Sequence, residues 1–244
     1  MGRGREGPNR GGQRRGITVR ARGTDARGAG SVPPGPQQAH GAGRDVGPTG
    51  VRDLRGGAAP VVLRYPAGDL LVVSGLPGSG KSTLIRRSVA ALDSRDAVVW
   101  CVDSQDARDR LERRTPSWLP YGVYRPLVRI AHYAGLRRAL RSDASAVVHD
   151  CGQRGWVRRW LVRDARRRGS SVHLLVLAVD PATALAGQAA RGRTVSAYAF
   201  GRHRRAMARL VADTAAGRLP DGCVSATLLD RAAARALEGI VFDG

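Results

Sequence analysis

The sequence predicts an α/β fold: a parallel β-sheet covered by helices on both faces, a three-layer sandwich. Three observations carry this. From about Ala58 onward, short apolar runs alternate with longer amphipathic stretches. The runs are almost continuously apolar, as strands buried on both faces must be. A glycine-rich turn joins the first of these runs to the helix after it, on the side of the sheet where ligands collect.

Taken in order, Asp69–Ser74 (DLLVVS) reads as the first strand, and a helix follows from Lys81 to about Leu92. Ala97–Val102 is the second strand. Pro126–Arg141 is helical, with Leu127, Ile130, Ala134 and Leu140 near one face. Ala144–His149 is the third strand, and Trp156–Arg168 a helix in which Trp156 and Trp160, four residues apart, share a face. Ser171–Val179 is the fourth strand, with helices after it at about 181–190 and 197–216. Ala226–Leu229 is a short fifth strand, and Arg231–Glu238 a closing helix.

Composition sets the domain organisation. The chain has 244 residues, enough for one large domain or two small ones, and 42% hydrophobic content, which excludes disorder throughout. Residues 1–57 differ from the rest, with 16 Gly, 5 Pro and 11 Arg against 4 acids. Such a segment buries too little apolar surface to offset chain entropy, so a disordered Gly/Arg-rich tail is expected there, with the folded domain over 58–244. No apolar run is long enough to span a bilayer, and the N-terminus lacks the apolar region of a secretory signal. Cys101, Cys151 and Cys223 are too few and too scattered for a disulfide framework, which fits a reducing cytoplasm.

The net charge is +21, and Lys81 is the only lysine among 41 cations. A basic chain points towards polyanions. An excess of arginine over lysine this large, however, also follows from GC-rich coding.

The lone lysine lies in the sharpest motif. Gly75-Leu76-Pro77-Gly78-Ser79-Gly80-Lys81-Ser82-Thr83 fits G-x-x-x-x-G-K-[ST], with a strand before it and a helix after it. Glycines permit the backbone turns that wrap a phosphate. Successive N–H groups and the helix N-terminus then face the anion. Lys81 is placed for the β- and γ-phosphates of a nucleotide such as ATP, and Ser82 for Mg²⁺, which wants a carboxylate nearby. Asp150, at the end of the third strand, is the expected carboxylate. Asp180 and Asp230 end the fourth and fifth strands, where N-cap roles are expected, Asp180 with Pro181 at the first helical position. Arg191 and Arg193 form a short basic loop between two helices, suited to closing over phosphates.

With these pieces placed, the chain resembles the P-loop kinases of the polynucleotide-kinase and zeta-toxin-like group, and in particular the actinobacterial ATP-binding proteins labelled AAA family ATPase. The likeness covers about residues 68–242 and rests on VVSGLPGSGKST, VDSQDAR, VVHDCG and RGRTVS. It implies a five-stranded sheet of order 2-3-1-4-5, a small helical lid, and lid arginines, Arg191 and Arg193, that touch the transferred phosphate. It also implies an Asp two residues after Asp103 as acceptor base and an Arg three further on. Arg108 stands at the second position, but Gln105 stands at the first, and an amide is no general base. Asp103 and Asp106 could substitute, or could be a helix N-cap and its N3 acid.

The leading expectation is an ATP–Mg²⁺ phosphotransferase acting on a small-molecule or nucleotide-like acceptor. Trp118–Tyr133, with Tyr121, Tyr124, Tyr133, Arg125 and Arg129, would line the acceptor pocket or pack in the core. The alternatives are an ATPase or nucleotide-gated binding protein without a dedicated acceptor, and a nucleic-acid-associated ATPase. The last would use the basic stripe Arg202, His203, Arg204, Arg205 and Arg209.

Overall fold

A computed structural model describes residues 44–46, 50–57, 59–116, 118–150, 155–190 and 196–243. The strands are β1 (Arg44–Val46), β2 (Gly50–Asp53), β3 (Val61–Tyr65), β4 (Leu70–Gly75), β5 (Trp100–Val102), β6 (Ala146–Asp150), β7 (Val172–Leu177), β8 (Ser225–Leu229) and β9 (Leu237–Phe242). The helices are α1 (Lys81–Ser88), α2 (Ser104–Glu112), α3 (Tyr121–Leu140), α4 (Gly155–Arg167), α5 (Pro181–Ala189), α6 (Ala197–Ala215) and α7 (Arg231–Ala236).

The main sheet has the order β2-β8-β7-β4-β6-β5, and every pairing in it is parallel. The five strands expected from the sequence appear in the expected order, with β2 added at the edge beside β8. Alternation along β4 divides its side chains between two cores. Leu70 and Val72 face Leu136, Leu161, Met207 and Leu210 from α3, α4 and α6. Leu71 and Val73 face Ile85 of α1 together with Leu63, Ile240 and Phe242. Each of these fully buried side chains contributes about 1.5–3 kcal/mol of transfer free energy.

The second core is closed by a small parallel sheet, β1-β3-β9, that the sequence reading missed. The expected helix 231–238 stops at Ala236, and the chain turns into β9. In LEGIVF, Leu237, Ile240 and Phe242 are buried while Glu238 is exposed, an alternation that suits a strand beside β3. Arg64 of β3 pairs with Asp243 at its end.

The expectation of a tail through residue 57 is corrected for residues 44–46, which pair with β3 as β1, and for residues 50–57. Val51 packs on the first core and Leu54 on the second. The Leu54 N–H donates to the Leu228 carbonyl at 3.0 Å. The Gly56 N–H donates to Asp230 at 2.8 Å. Two apolar residues in a glycine-rich stretch are enough when an open sheet edge supplies the hydrogen bonds. Residues 1–43 lie outside the described residues.

Helix α3 is also longer than expected. It starts at Tyr121, so Pro126 lies inside it and forgoes one backbone hydrogen bond. Its buried face changes along its length. Tyr124 and Val128 pack with Ala107 of α2, whereas Leu136, Ala139 and Leu140 pack on the sheet. Leu127 and Ile130, placed on the core face from sequence, are 56% and 64% exposed.

A polar network ties the N-terminal ends of β4, β7 and β8 together. His173 Nε2 lies 2.8 Å from Asp69 Oδ2, and its Nδ1 lies 2.7 Å from Ser225 Oγ. The Ser171 N–H donates to Asp69 Oδ1 at 2.8 Å. The three side chains make up a Ser–His–Asp set, but all are buried and closed to substrate, so their role is to lock the strands. Asp180 and Asp230 cap α5 and α7 as expected, accepting from Ala182, Thr183 and Ala233 N–H groups.

Candidate functional site

The site forms where β4 ends and α1 begins. Gly78 and Gly80 take φ of +87° and +97°, which side chains rarely adopt. At Gly78 space forbids one as well, since a Cβ would lie 2.0 Å from the Ala184 carbonyl oxygen of α5. Gln188 of the same helix donates to the Pro77 carbonyl at 3.1 Å, so α5 braces the loop from outside. The result is a turn whose backbone N–H groups open on the N-terminus of α1. The Ser79 hydroxyl is buried in it without a partner among the described residues.

Lys81 is buried, an unusual position for a lysine. Its Nζ donates to the carbonyls of Gly75 and Leu76 at 2.7 and 2.8 Å, holding the cation inside the loop. The next residue links to another strand. Ser82 Oγ donates to Asp103 Oδ2 at 2.6 Å. Asp103 Oδ1 in turn lies 2.5 Å from His149 Nδ1. Both side chains are nearly buried, and His149 Nε2 has no hydrogen-bond partner among the described residues. Beside the carboxylate, Nδ1 is the nitrogen that carries the proton. A chain of three side chains therefore joins the first turn of α1 to the ends of β5 and β6.

Asp103, expected as a stand-in for the acceptor base or as a helix N-cap, also receives the hydroxyl of Ser82. Ser82 and Asp103 together offer two adjacent hard oxygens, the donor type that Mg²⁺ prefers. Asp150 stands where expected, opposite Ser74 on the strand beside β4, although its side chain lies outside the described residues. His149 was not singled out from sequence. The signal was available: it precedes Asp150 in β6 and shares with Val147 the sheet face turned towards α1.

The remaining expected residues separate. Arg108 Nε bonds Glu112 Oε1 at 2.6 Å on its own helix, and Tyr124 donates to the same carboxylate at 3.3 Å. Tyr124 thus joins α3 to α2 through a carboxylate that Arg108 holds from its own helix. Tyr133 packs at a tilt against Trp156, with ring centroids 5.2 Å apart, and meets Trp160 edge-on at 6.4 Å. These contacts pack helices together, the second of the two roles expected for the tyrosines. Asp106 is exposed on the first turn of α2, and its carboxyl is pushed above the ordinary range, first by desolvation and then by the nearby charge of Asp103. Arg191 and Arg193 lie outside the described residues.

A cleft of about 480 Å³ opens beside the loop. Gly78, Ser79, Gly80 and Thr83 line its floor, Thr183 and Gly187 of α5 one wall, and Arg87, Arg231 and Arg235 the other. It joins an anion-binding turn to a part-apolar, part-cationic slot.

A parallel sheet of this order, with a glycine turn leading into a helix and a buried lysine in that turn, defines a P-loop NTPase-like α/β protein. The chain belongs to the AAA domain family, whose model matches residues 70–214, from the start of β4 almost to the end of α6. No curated protein matches it. Among solved structures it is similar to one from the PezAT chromosomal toxin–antitoxin system of Streptococcus pneumoniae, at 14% identity and a TM-score of 0.40. That match covers 52% of each chain, so this protein spans about half the length of that relative. It is also similar to a candidate kinase from Chloroflexus aurantiacus, at 15% identity and TM-score 0.44, over 68% of this chain and 88% of the other. A third is the tunicamycin resistance protein of Deinococcus radiodurans, at 14% identity and TM-score 0.36, over 62% and 84%. No described helix is long and apolar enough to cross a membrane.

Proposed function

We propose that this protein is an ATP- and Mg²⁺-dependent P-loop phosphotransferase, a zeta-toxin-like kinase of the actinobacterial kind. It would pass the terminal phosphoryl group to a small-molecule or nucleotide-like acceptor in the cytoplasm. The observation that carries the reading is the buried Lys81 followed in the chain by Ser82, whose hydroxyl heads the Ser82–Asp103–His149 chain.

The residues fit the group they would hold. Gly75 to Thr83 form a cradle closed to side chains at Gly78, and the unpartnered Ser79 hydroxyl lies within it. Lys81, already inside the loop, would turn from the Gly75 and Leu76 carbonyls to phosphate oxygens. Ser82 and Asp103 would hold Mg²⁺, with Asp150 as a further carboxylate at the end of the adjacent strand. Bound Mg²⁺ supplies neutralisation of charge on the phosphate oxygens. The slot between α1, α5 and α7 would take the base and ribose, with the planar guanidiniums of Arg231 and Arg235 suited to stacking on a ring.

Transfer through such a site depends on positioning and charge more than on covalent chemistry. His149 fixes the Asp103 carboxylate, and Arg191 and Arg193 would close over the phosphate from the loop after α5. Gln105 cannot take the acceptor's proton, and this favours a second reading, an ATPase or nucleotide-gated protein without a dedicated acceptor. ADP release measured against a panel of hydroxyl-bearing metabolites and nucleotides separates the two. Release stimulated at least tenfold by one acceptor class supports the transferase. Turnover that no acceptor changes supports the second reading, and absence of nucleotide binding overturns both.

A further inference from the structure

Helices α4 and α6 lie on the same face of the main sheet, packed over neighbouring strands. Their outer faces repeat one pattern. On α4, Trp156 is followed at three, seven and eleven residues by Arg159, Arg163 and Arg167. On α6, Tyr198 is followed at four, seven and eleven residues by Arg202, Arg205 and Arg209. All six arginines are exposed, as are the two aromatic rings, Trp156 to 49% and Tyr198 to 74%. At 1.5 Å per residue, successive arginines stand about 4.5–6 Å apart along each axis.

GC-rich coding explains many arginines, but not two rows that each begin with an aromatic ring at the surface, Tyr198 exposed and Trp156 half-exposed with Tyr133 against it. The only acids on the two helices are Asp164 and Asp213. Each is already engaged, with Arg167 and Arg168 and with Arg218 respectively. Beside the α4 row the surface dips into a groove of about 490 Å³, lined by Arg159, Arg163, Arg166 and Arg167 with Asp221 and Gly222. None of the P-loop residues lines it. Cationic tracks that follow a backbone, combined with aromatic platforms for bases, are the two elements of single-stranded nucleic-acid recognition.

We infer that the α4/α6 face binds single-stranded nucleic acid, with the arginine rows on phosphates and Trp156 and Tyr198 stacking on bases. Both rings stand at the helix ends next to the C-terminal edge of the sheet, so a bound strand would run from the rim of the nucleotide site down the helical layer.

The test is fluorescence anisotropy of a labelled single-stranded oligonucleotide, on the full chain without nucleotide, at several salt concentrations. Four proteins are compared with the wild type: R159A/R163A/R167A on α4, R202A/R205A/R209A on α6, the control R113A/R114A/R141A, and W156A/Y198A. The control removes the same charge from exposed positions off the two helices. Each face triple should reduce the salt slope of log K by about 2, from about 0.7 per lost phosphate contact. W156A/Y198A should weaken binding about tenfold or more with little change in slope. Melting curves confirm that each variant is folded. If the control loses as much as the face triples, binding reflects bulk charge and the proposal fails. It fails equally if W156A/Y198A binds like the wild type, or if duplex DNA binds as tightly as the single strand.

Discussion

Ser82 donates its hydroxyl to Asp103 across 2.6 Å, and this joins the first turn of α1 to the end of β5. The contact crosses from the P-loop strand past β6, because β5 is the outer neighbour of β6 in the sheet. A carboxylate that far along the sheet reaches the loop only because Asp103 lies just beyond its strand, where His149 meets its other oxygen.

If Asp103 shares the Mg²⁺ shell with Ser82, Asp103→Asn should lower ATP turnover more than tenfold, which is more than about 1.4 kcal/mol of barrier. His149→Asn should lower turnover by a smaller factor, because it loosens the carboxylate without removing it. Steady-state rates across a Mg²⁺ titration check this. Both variants should need more Mg²⁺ for half-maximal rate, whereas a purely structural loss would lower the rate at every Mg²⁺ concentration alike.

Asp106 behaves differently. Its folded-state pKa is raised, so its ionised form is disfavoured in the folded protein. The stability it contributes is present below the unfolded value, about 3.9, and is lost as pH rises through the folded value. Asp106→Asn should therefore leave the melting temperature unchanged or slightly higher at pH 7, with the difference vanishing near pH 3. A helix-capping acid would give the opposite sign at pH 7, so melting curves at the two pH values distinguish them.

The N-terminal boundary can be located by truncation. A chain beginning at residue 44 should melt as the full protein does. One beginning at residue 58 loses β1 and β2, the burial of Val51 and Leu54, and the Gly56–Asp230 hydrogen bond, and should melt several degrees lower. Equal melting temperatures for the two would show that these two edge strands add nothing to their sheets.

The strands of the main sheet were legible because burial on both faces leaves an unbroken apolar run, as in Leu70–Val73 and Leu174–Leu177. β2 and β3 were not, since each has one partly exposed face and β2 lies among glycines. β9 was hidden by the alanine-rich helix before it, whose pattern runs on into Leu237. The P-loop could be read from spacing alone, because its chemistry is local in sequence. The Asp103–His149 contact could not, because it joins residues 46 apart in the chain whose meeting depends on sheet order. The role of the α3 tyrosines stayed open for a related reason: Tyr124 and Tyr133 are amphipathic, and it takes their neighbours Glu112 and Trp156 to show them packing between helices.

On the proposed reading, the buried Lys81 and its loop hold a nucleoside triphosphate. The most direct measurement is the thermal shift produced by Mg-ATP in the wild-type protein and in Lys81→Ala, with circular dichroism confirming that both are folded. A ligand at a hundred times its Kd adds about 2.7 kcal/mol to the stability of the folded state. The wild type should therefore show a clear rise in melting temperature, and Lys81→Ala little or none. An equal shift in the two proteins would contradict the assignment.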